Sequence, residues 1–219
     1  ACVANASDFG EMLAWSKLIE FHATHDQNIV VICNDPWMFR HLSTLEGVVA
    51  HSPPQILFRQ LHLSLRGYLA RVYTAIRFFI AILRLSYQKR ETLHSNSALL
   101  VYGHQASTTA GKDAYFGNLL IQNPTLSRVL HIDCSIKRVL ELECDGRTIS
   151  LHRWGKLRDL ISLPFVKWRP GGSSANGKYK WLIKRAAALE GATGQAASLK
   201  WQIDCQAHWL RDNGPKVVV

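Results

Sequence analysis

The chain has 219 residues, 47% of them hydrophobic and 19% charged, which is enough to bury a substantial core without metals or disulfides and excludes a disordered chain. Its 26 Lys plus Arg against 16 Asp plus Glu leave a net charge of +10, an excess that attracts phosphates of nucleic acids, nucleotide sugars or anionic lipids. The five cysteines form no CxxC pair, so neither a disulfide framework nor a zinc site is indicated, and a reducing cytosol fits best.

From the N-terminus, Asp8 to His25 carries a broken helical period. Asn28 to Asn34 (NIVVICN) reads as a buried parallel strand with Cys33 as a small apolar residue inside it. Asp35-Pro36 then starts a short helix through Leu45, because Asp is a good N-cap and Pro fits the first turn. After Pro53-Pro54, Gln55 to Arg90 reads as one long helix. Arg71, Arg77 and Arg84 recur through it, each costing about 2.5–3.5 kcal/mol at the centre of a membrane span, so the helix is expected not to span. One face is expected against the sheet, with an interfacial helix on anionic lipid as the competing reading.

Ser97 to Tyr102 (SALLVY) is a second expected strand, followed by the polar stretch Gly103 to Lys112 and a helix over Tyr115 to Gln122 capped by Asp113. Arg128 to Asp133 gives another strand. Asp145-Gly146 between VLELE and RTISLH is the signature of a two-residue β-hairpin. Gly171 to Lys178 reads as a flexible loop. Tyr179 to Glu190 and Gln195 to Asp212 read as helices, the second with Ala197, Trp201, Cys205 and Trp209 on one stripe. Asn213-Gly214-Pro215 stops it before a strand over Lys216 to Val219. The opening on Ala1-Cys2 and the close on an apolar run just begun lead to the expectation of a fragment truncated at both ends. The expected class is α/β, a Rossmann-like parallel sheet flanked by helices with a small β-hairpin excursion, divided as an α/β domain over 1–170, a loop over 171–178, and a helical pair with a strand over 179–219.

In open α/β sheets ligands lie beyond the carboxyl ends of strands. The segment after Tyr102 is therefore the expected site, with Gly103, Gln105, Thr108, Thr109, Lys112, Asp113, Tyr115 and Asn118 as substrate contacts and His104 as the side chain able to shuttle a proton near neutral pH. Lys167, Trp168 and Arg169 form a second candidate, since Arg grips phosphate and Trp stacks on sugar rings, with packing the competing role for Trp168. Gly103, Gly111 and Gly117 match neither GxGxxG nor a P-loop, and no hydrolase triad or metal motif can be assigned. No basic run interleaved with aromatics is recognised, so nucleic acid is not expected as a partner. Asp204 and His208 are read as a surface i, i+4 contact.

Three stretches, ALLVYGHQASTTAGKDAYFGNLL, SLHRWGKLRDLISLPFVKWRP and ATGQAASLKWQIDCQAHWLRDNGPKVVV, resemble bacterial surface-carbohydrate biosynthesis proteins thought to be glycosyltransferase-like. The resemblance covers about half the chain. It implies the N-terminal half of a GT-B-like two-domain protein, cytoplasmic or peripheral to the inner membrane, metal-independent and needing no cofactor. The implied partners are a nucleotide sugar, a glycan or lipid-linked acceptor and an anionic membrane surface. A cleft would be bordered by His104, Thr108, Lys112, Asp113, Tyr115 and Asn118. The family's acidic segment is absent here, which leaves the catalytic base unassigned. The competing expectations are a noncatalytic membrane-peripheral scaffold of a polysaccharide assembly complex and another group transferase on a Rossmann-like fold.

Overall fold

The computed structural model describes residues 6–25, 30–86, 98–102, 107–108, 111–131, 136–143, 148–168 and 177–213. The chain forms two compact units that interleave in sequence, one from 1–72 and 165–196, the other from 73–164 and 197–219.

The first unit is helical among its described residues. Helix α1 spans Phe9–Thr24 and α2 spans Pro36–Leu42. Asp35 starts α2 as its sequence predicts, its carboxylate accepting from the Trp37 and Met38 amides with Pro36 in the first turn. The opposite oxygen takes the Arg185 guanidinium at 2.7 Å. Helix α3 spans Leu57–Ser86 and contributes its first half here, and α7 spans Lys180–Gly191. Ile19, Met38 and Leu42 form one core cluster, Trp37, Leu63 and Ala192 a second, and Trp168, Ala186 and Ala196 a third. Trp168 is thus a packing residue, in a cluster against which Val166 and Phe9 also pack.

The expected strand before α2 is absent over its described part. Residues 30–35 carry no strand, and Val30 and Ile32 are 93% and 98% exposed. An apolar run becomes a strand only where another strand completes its hydrogen bonds, and the sheet forms much later in the chain. Cys33 is accordingly half-buried, its thiol donating to the Asp35 carbonyl.

The second unit holds a three-stranded parallel sheet in the order β1-β2-β3, with β1 Ala98–Tyr102, β2 Ser127–His131 and β3 Thr148–Ser150. Leu100 lies opposite Val129, and Val129 opposite Ile149. The class is therefore α/β, with parallel strands joined by crossovers. Helix α4, Leu119–Gln122, lies between β1 and β2, and α5, Ile136–Glu143, between β2 and β3. Helix α6, Leu157–Ser162, and α8, Gln195–Asn213, complete the unit with the second half of α3.

The expected hairpin is overturned. VLELE belongs to α5, where Val139, Leu142 and Glu143 are buried and Lys137 and Glu141 exposed, a helical period hidden under apparent alternation. Strand β3 runs parallel to β2, which demands a crossover that a two-residue turn cannot make. Asp145-Gly146, the strand expected over 216–219, and most of the 171–178 loop lie outside the described residues.

The stripe of α8 matches its sequence reading: Ala197, Trp201, Cys205 and Trp209 are all buried. Phe78 of α3 stacks on Trp201 with centroids 5.3 Å apart, and the Trp201 indole donates to His152 Nδ1 at 3.2 Å. Along the buried stripe of α3, Leu63 packs in one cluster with Trp37 and Ala192, and Phe78 packs on Trp201. Glu143 grips Arg153 by both oxygens and accepts the Ser150 amide, while Arg153 also donates to the Leu85 carbonyl. His208 is buried and donates to the Trp154 carbonyl, and Asp204 pairs with Lys200, so the expected Asp204 to His208 surface contact does not form.

Candidate functional site

Of the residues expected to contact substrate, Thr108, Lys112, Asp113, Tyr115 and Asn118 are described; Gly103, His104, Gln105, Thr109 and Arg169 lie outside the described residues. The described part of the loop consists of two tight turns in tandem. Thr108 and Lys112 close the first, with Thr108 N donating to Lys112 O at 2.8 Å and Gly111 supplying a left-handed φ of 87°. Asp113 and Gly117 close the second by exchanging backbone hydrogen bonds. The Asp113 carboxylate accepts from the Tyr115 and Phe116 amides, so it caps this turn, and the helix begins only at Leu119 rather than at Tyr115.

Asp113 faces inward. Its second oxygen accepts from Ser107 Oγ at 3.2 Å and lies 3.7 Å from Arg128 Nη1, with both side chains of the ion pair fully buried. Arg128, from β2, also donates to Thr148 Oγ1 of β3 and to the Thr108 carbonyl. One guanidinium therefore fastens the loop to two strands, and Asp113 positions the loop. Arg138 of α5 donates to the Ser107 carbonyl. The outward residues are Lys112, Tyr115 (65% exposed), Phe116 and Asn118: one cation, two rings and one amide side by side in sequence on a pinned loop. These groups can contact a sugar or an anion, whereas the hydroxyl–carboxylate pair of Ser107 and Asp113 is buried beneath them and serves to hold the loop.

A second arrangement lies in the first unit. A cavity of about 670 Å³ is bordered by α2, the start of α3 and the start of α7. Trp37, Arg40, His41 and Thr44 enter it at helical steps of three and four, Ile56, Leu57 and Gln60 from the α3 end, and Lys178, Lys180, Trp181 and Lys184 from the α7 end. The rim is cationic and no carboxylate lines it. Glu20, from α1, lies just behind: it accepts from Lys178 Nζ at 2.7 Å, His41 Nε2 at 3.0 Å and the Tyr179 hydroxyl. Burial pushes the Glu20 carboxyl up, but the Lys178 and His41 hydrogen bonds outweigh it and hold the group below its ordinary value. The same bond raises Lys178.

This cavity is not foreseen in the sequence reading, although a signal exists. Lys178 to Arg185 (KYKWLIKR) does interleave four cations with two aromatics, contrary to that reading. Two of the four pair with acids of the chain, the exposed Lys178 with Glu20 and the buried Arg185 with Asp35, whereas Lys180 and Lys184 are exposed without an acidic partner among the described residues. Among the described residues no cluster of His, Cys, Asp and Glu could hold a metal ion, and no helix is long and apolar enough to cross a membrane. The chain matches no protein-family model, no curated protein and no solved structure with which it was compared.

Proposed function

We propose that the chain is part of a glycosyltransferase-like protein of cell-surface polysaccharide biosynthesis, moving a sugar from a nucleotide donor to a glycan or lipid-linked acceptor. The observation that carries this reading is the parallel sheet whose first strand leads into a pinned polar loop presenting Lys112, Tyr115 and Asn118 outward. Carbohydrate recognition uses such rings and amides beside a cation that can meet phosphate. The resemblance of the YFG-containing loop and the Trp-rich α8 to surface-carbohydrate proteins agrees with it, as does the parallel order with a GT-B-like, Rossmann-type half. The test is incubation of the protein carrying this chain with labelled nucleotide sugars and membrane lipid acceptors. Transfer that falls in Lys112→Ala and His104→Ala is expected; neither transfer nor sugar-nucleotide binding overturns the reading.

The scaffold reading is favoured by a separate observation on α3. Leu65, Leu69, Tyr73, Ile76, Ile80 and Leu83 are exposed on one face, Arg59, Arg66, Arg77 and Arg84 line one edge of that face, and residues 57–86 contain no acid. An apolar face bordered along one edge by arginines suits a helix lying in an anionic membrane interface, where guanidinium groups reach headgroups while rings and leucines enter the acyl boundary. Flotation with phosphatidylglycerol vesicles tests it. Binding lost on changing Arg77 and Arg84 to Glu, in a protein without sugar-nucleotide affinity, selects scaffold over transferase.

A further inference from the structure

The geometry points to the cavity between α2, the start of α3 and the start of α7 as a binding site for a nucleoside diphosphate. It rests on the proposed function only for the biological role of that ligand; the binding itself stands on the cavity.

Three cations remain for a ligand. Among the described residues Lys180 and Lys184 have no acidic partner and Arg40 donates only from its Nε, to the Pro54 carbonyl at 3.1 Å. Three positive charges balance the two to three negative charges of a diphosphate, and no carboxylate on the lining opposes it. Lys180 and Lys184 are spaced i, i+4 on α7, so both ammonium groups leave the same helix face. The first turn of this 12-residue helix also borders the cavity, adding the partial positive charge of its N-terminus.

The rest of the lining fits the organic part. Trp37, Trp181, Ile56 and Leu57 give an apolar and aromatic floor, and Trp181 is held by stacking on His41 with centroids 5.0 Å apart. Gln55 and Gln60 each bring an amide that both donates and accepts, the chemistry that reads a base edge or ribose hydroxyls. The volume of about 670 Å³ lies within the range that holds a nucleotide-sized ligand. The positions are fixed from behind, since Glu20 ties His41, Lys178 and Tyr179 together and Asp35 ties the start of α2 to Arg185.

Calorimetry with UDP, ADP and GDP, with inorganic pyrophosphate, with a short RNA, and with phosphatidylglycerol vesicles tests the assignment on the full chain. At least one nucleoside diphosphate is expected to bind, more tightly than pyrophosphate. Its affinity should fall about tenfold or more in Lys180→Ala/Lys184→Ala, the loss expected for removing charge-assisted contacts. Both lysines are exposed and the melting temperature should not move; Lys17→Ala, an exposed change on α1, serves as the control with unaltered affinity. No binding, binding no tighter than pyrophosphate, occupancy only by vesicles, a short RNA binding more tightly than every nucleotide, or affinity unchanged in the double variant each overturn the assignment. Nucleotide binding without sugar transfer sinks the transferase reading and leaves the site, whereas transfer undiminished in the double variant sinks the site and leaves the transferase.

Discussion

Arg128 and Asp113 form an ion pair from which solvent is wholly excluded, Nη1 to Oδ2 at 3.7 Å, and the same guanidinium reaches Thr148 and the Thr108 carbonyl. The pair joins β2, β3 and the loop that follows β1. Removing one member strands a buried charge, which costs about 3–5 kcal/mol. Asp113→Ala should lower the unfolding free energy by about that amount in urea titrations, while Lys112→Ala, on the exposed side of the same loop, should stay within about 0.5 kcal/mol of wild type. Loss of activity in the first variant then reports loop geometry, and in the second it reports contact with ligand.

Gly67 of α3 lies against the end of α7. A Cβ there would overlap the Gly191 carbonyl oxygen and stand 3.0 Å from Ala192 Cα, and that same oxygen accepts from Arg71 at 2.8 Å. Helix propensity alone favours Gly67→Ala by about 1 kcal/mol. Close approach reverses the sign: a net loss of about 1–3 kcal/mol is expected from overpacking against backbone that cannot give. Thermal melts of Gly67→Ala and of Gly10→Ala, whose Cβ would meet nothing within 4 Å, distinguish the two effects.

Glu20 makes stability depend on pH at the acid side. Its carboxyl is held below the ordinary 4.5 because the bonds from Lys178 and His41 outweigh burial, so its contribution is complete above that value and disappears as pH falls through the lowered folded value. Lys178, raised by Glu20, contributes below its ordinary 10.5 and loses that contribution as pH rises through the raised value. Glu20→Gln should therefore flatten the acid limb of a stability-against-pH curve. A limb of unchanged steepness would show that Glu20 is not responsible for it.

Cys205 sits within the Trp201 to Trp209 stripe, and its thiol is pushed well above its ordinary range by burial first and then by Asp204 and Asp159. Thiolate is the reactive form, so native protein at about pH 8 should leave Cys205 unalkylated until global unfolding, while the half-buried Cys33 is modified earlier. Peptide mapping after timed iodoacetamide treatment reads both rates.

Helices were legible wherever local chemistry suffices. Asp35-Pro36 marks the start of α2, and the four-residue steps of α8 announce its buried stripe, because capping and period act within a few residues. Strands at 98–102 and 127–131 were also visible as apolar runs. VLELE and residues 30–34 misled because alternation and apolarity describe a surface, not the partner that completes it.

By itself the sequence determined that this chain folds, that it is basic, where its main helices begin and which stripe of α8 turns inward, since each follows from composition or from interactions within one or two turns. Tertiary structure decided which apolar run found an adjacent strand, that Asp113 faces Arg128 instead of solvent, and which of the clustered lysines remain free at a cavity. Those outcomes depend on groups up to 159 residues apart, as Glu20 and Tyr179 are, and no local pattern encodes a pairing that only chain folding brings within hydrogen-bond reach.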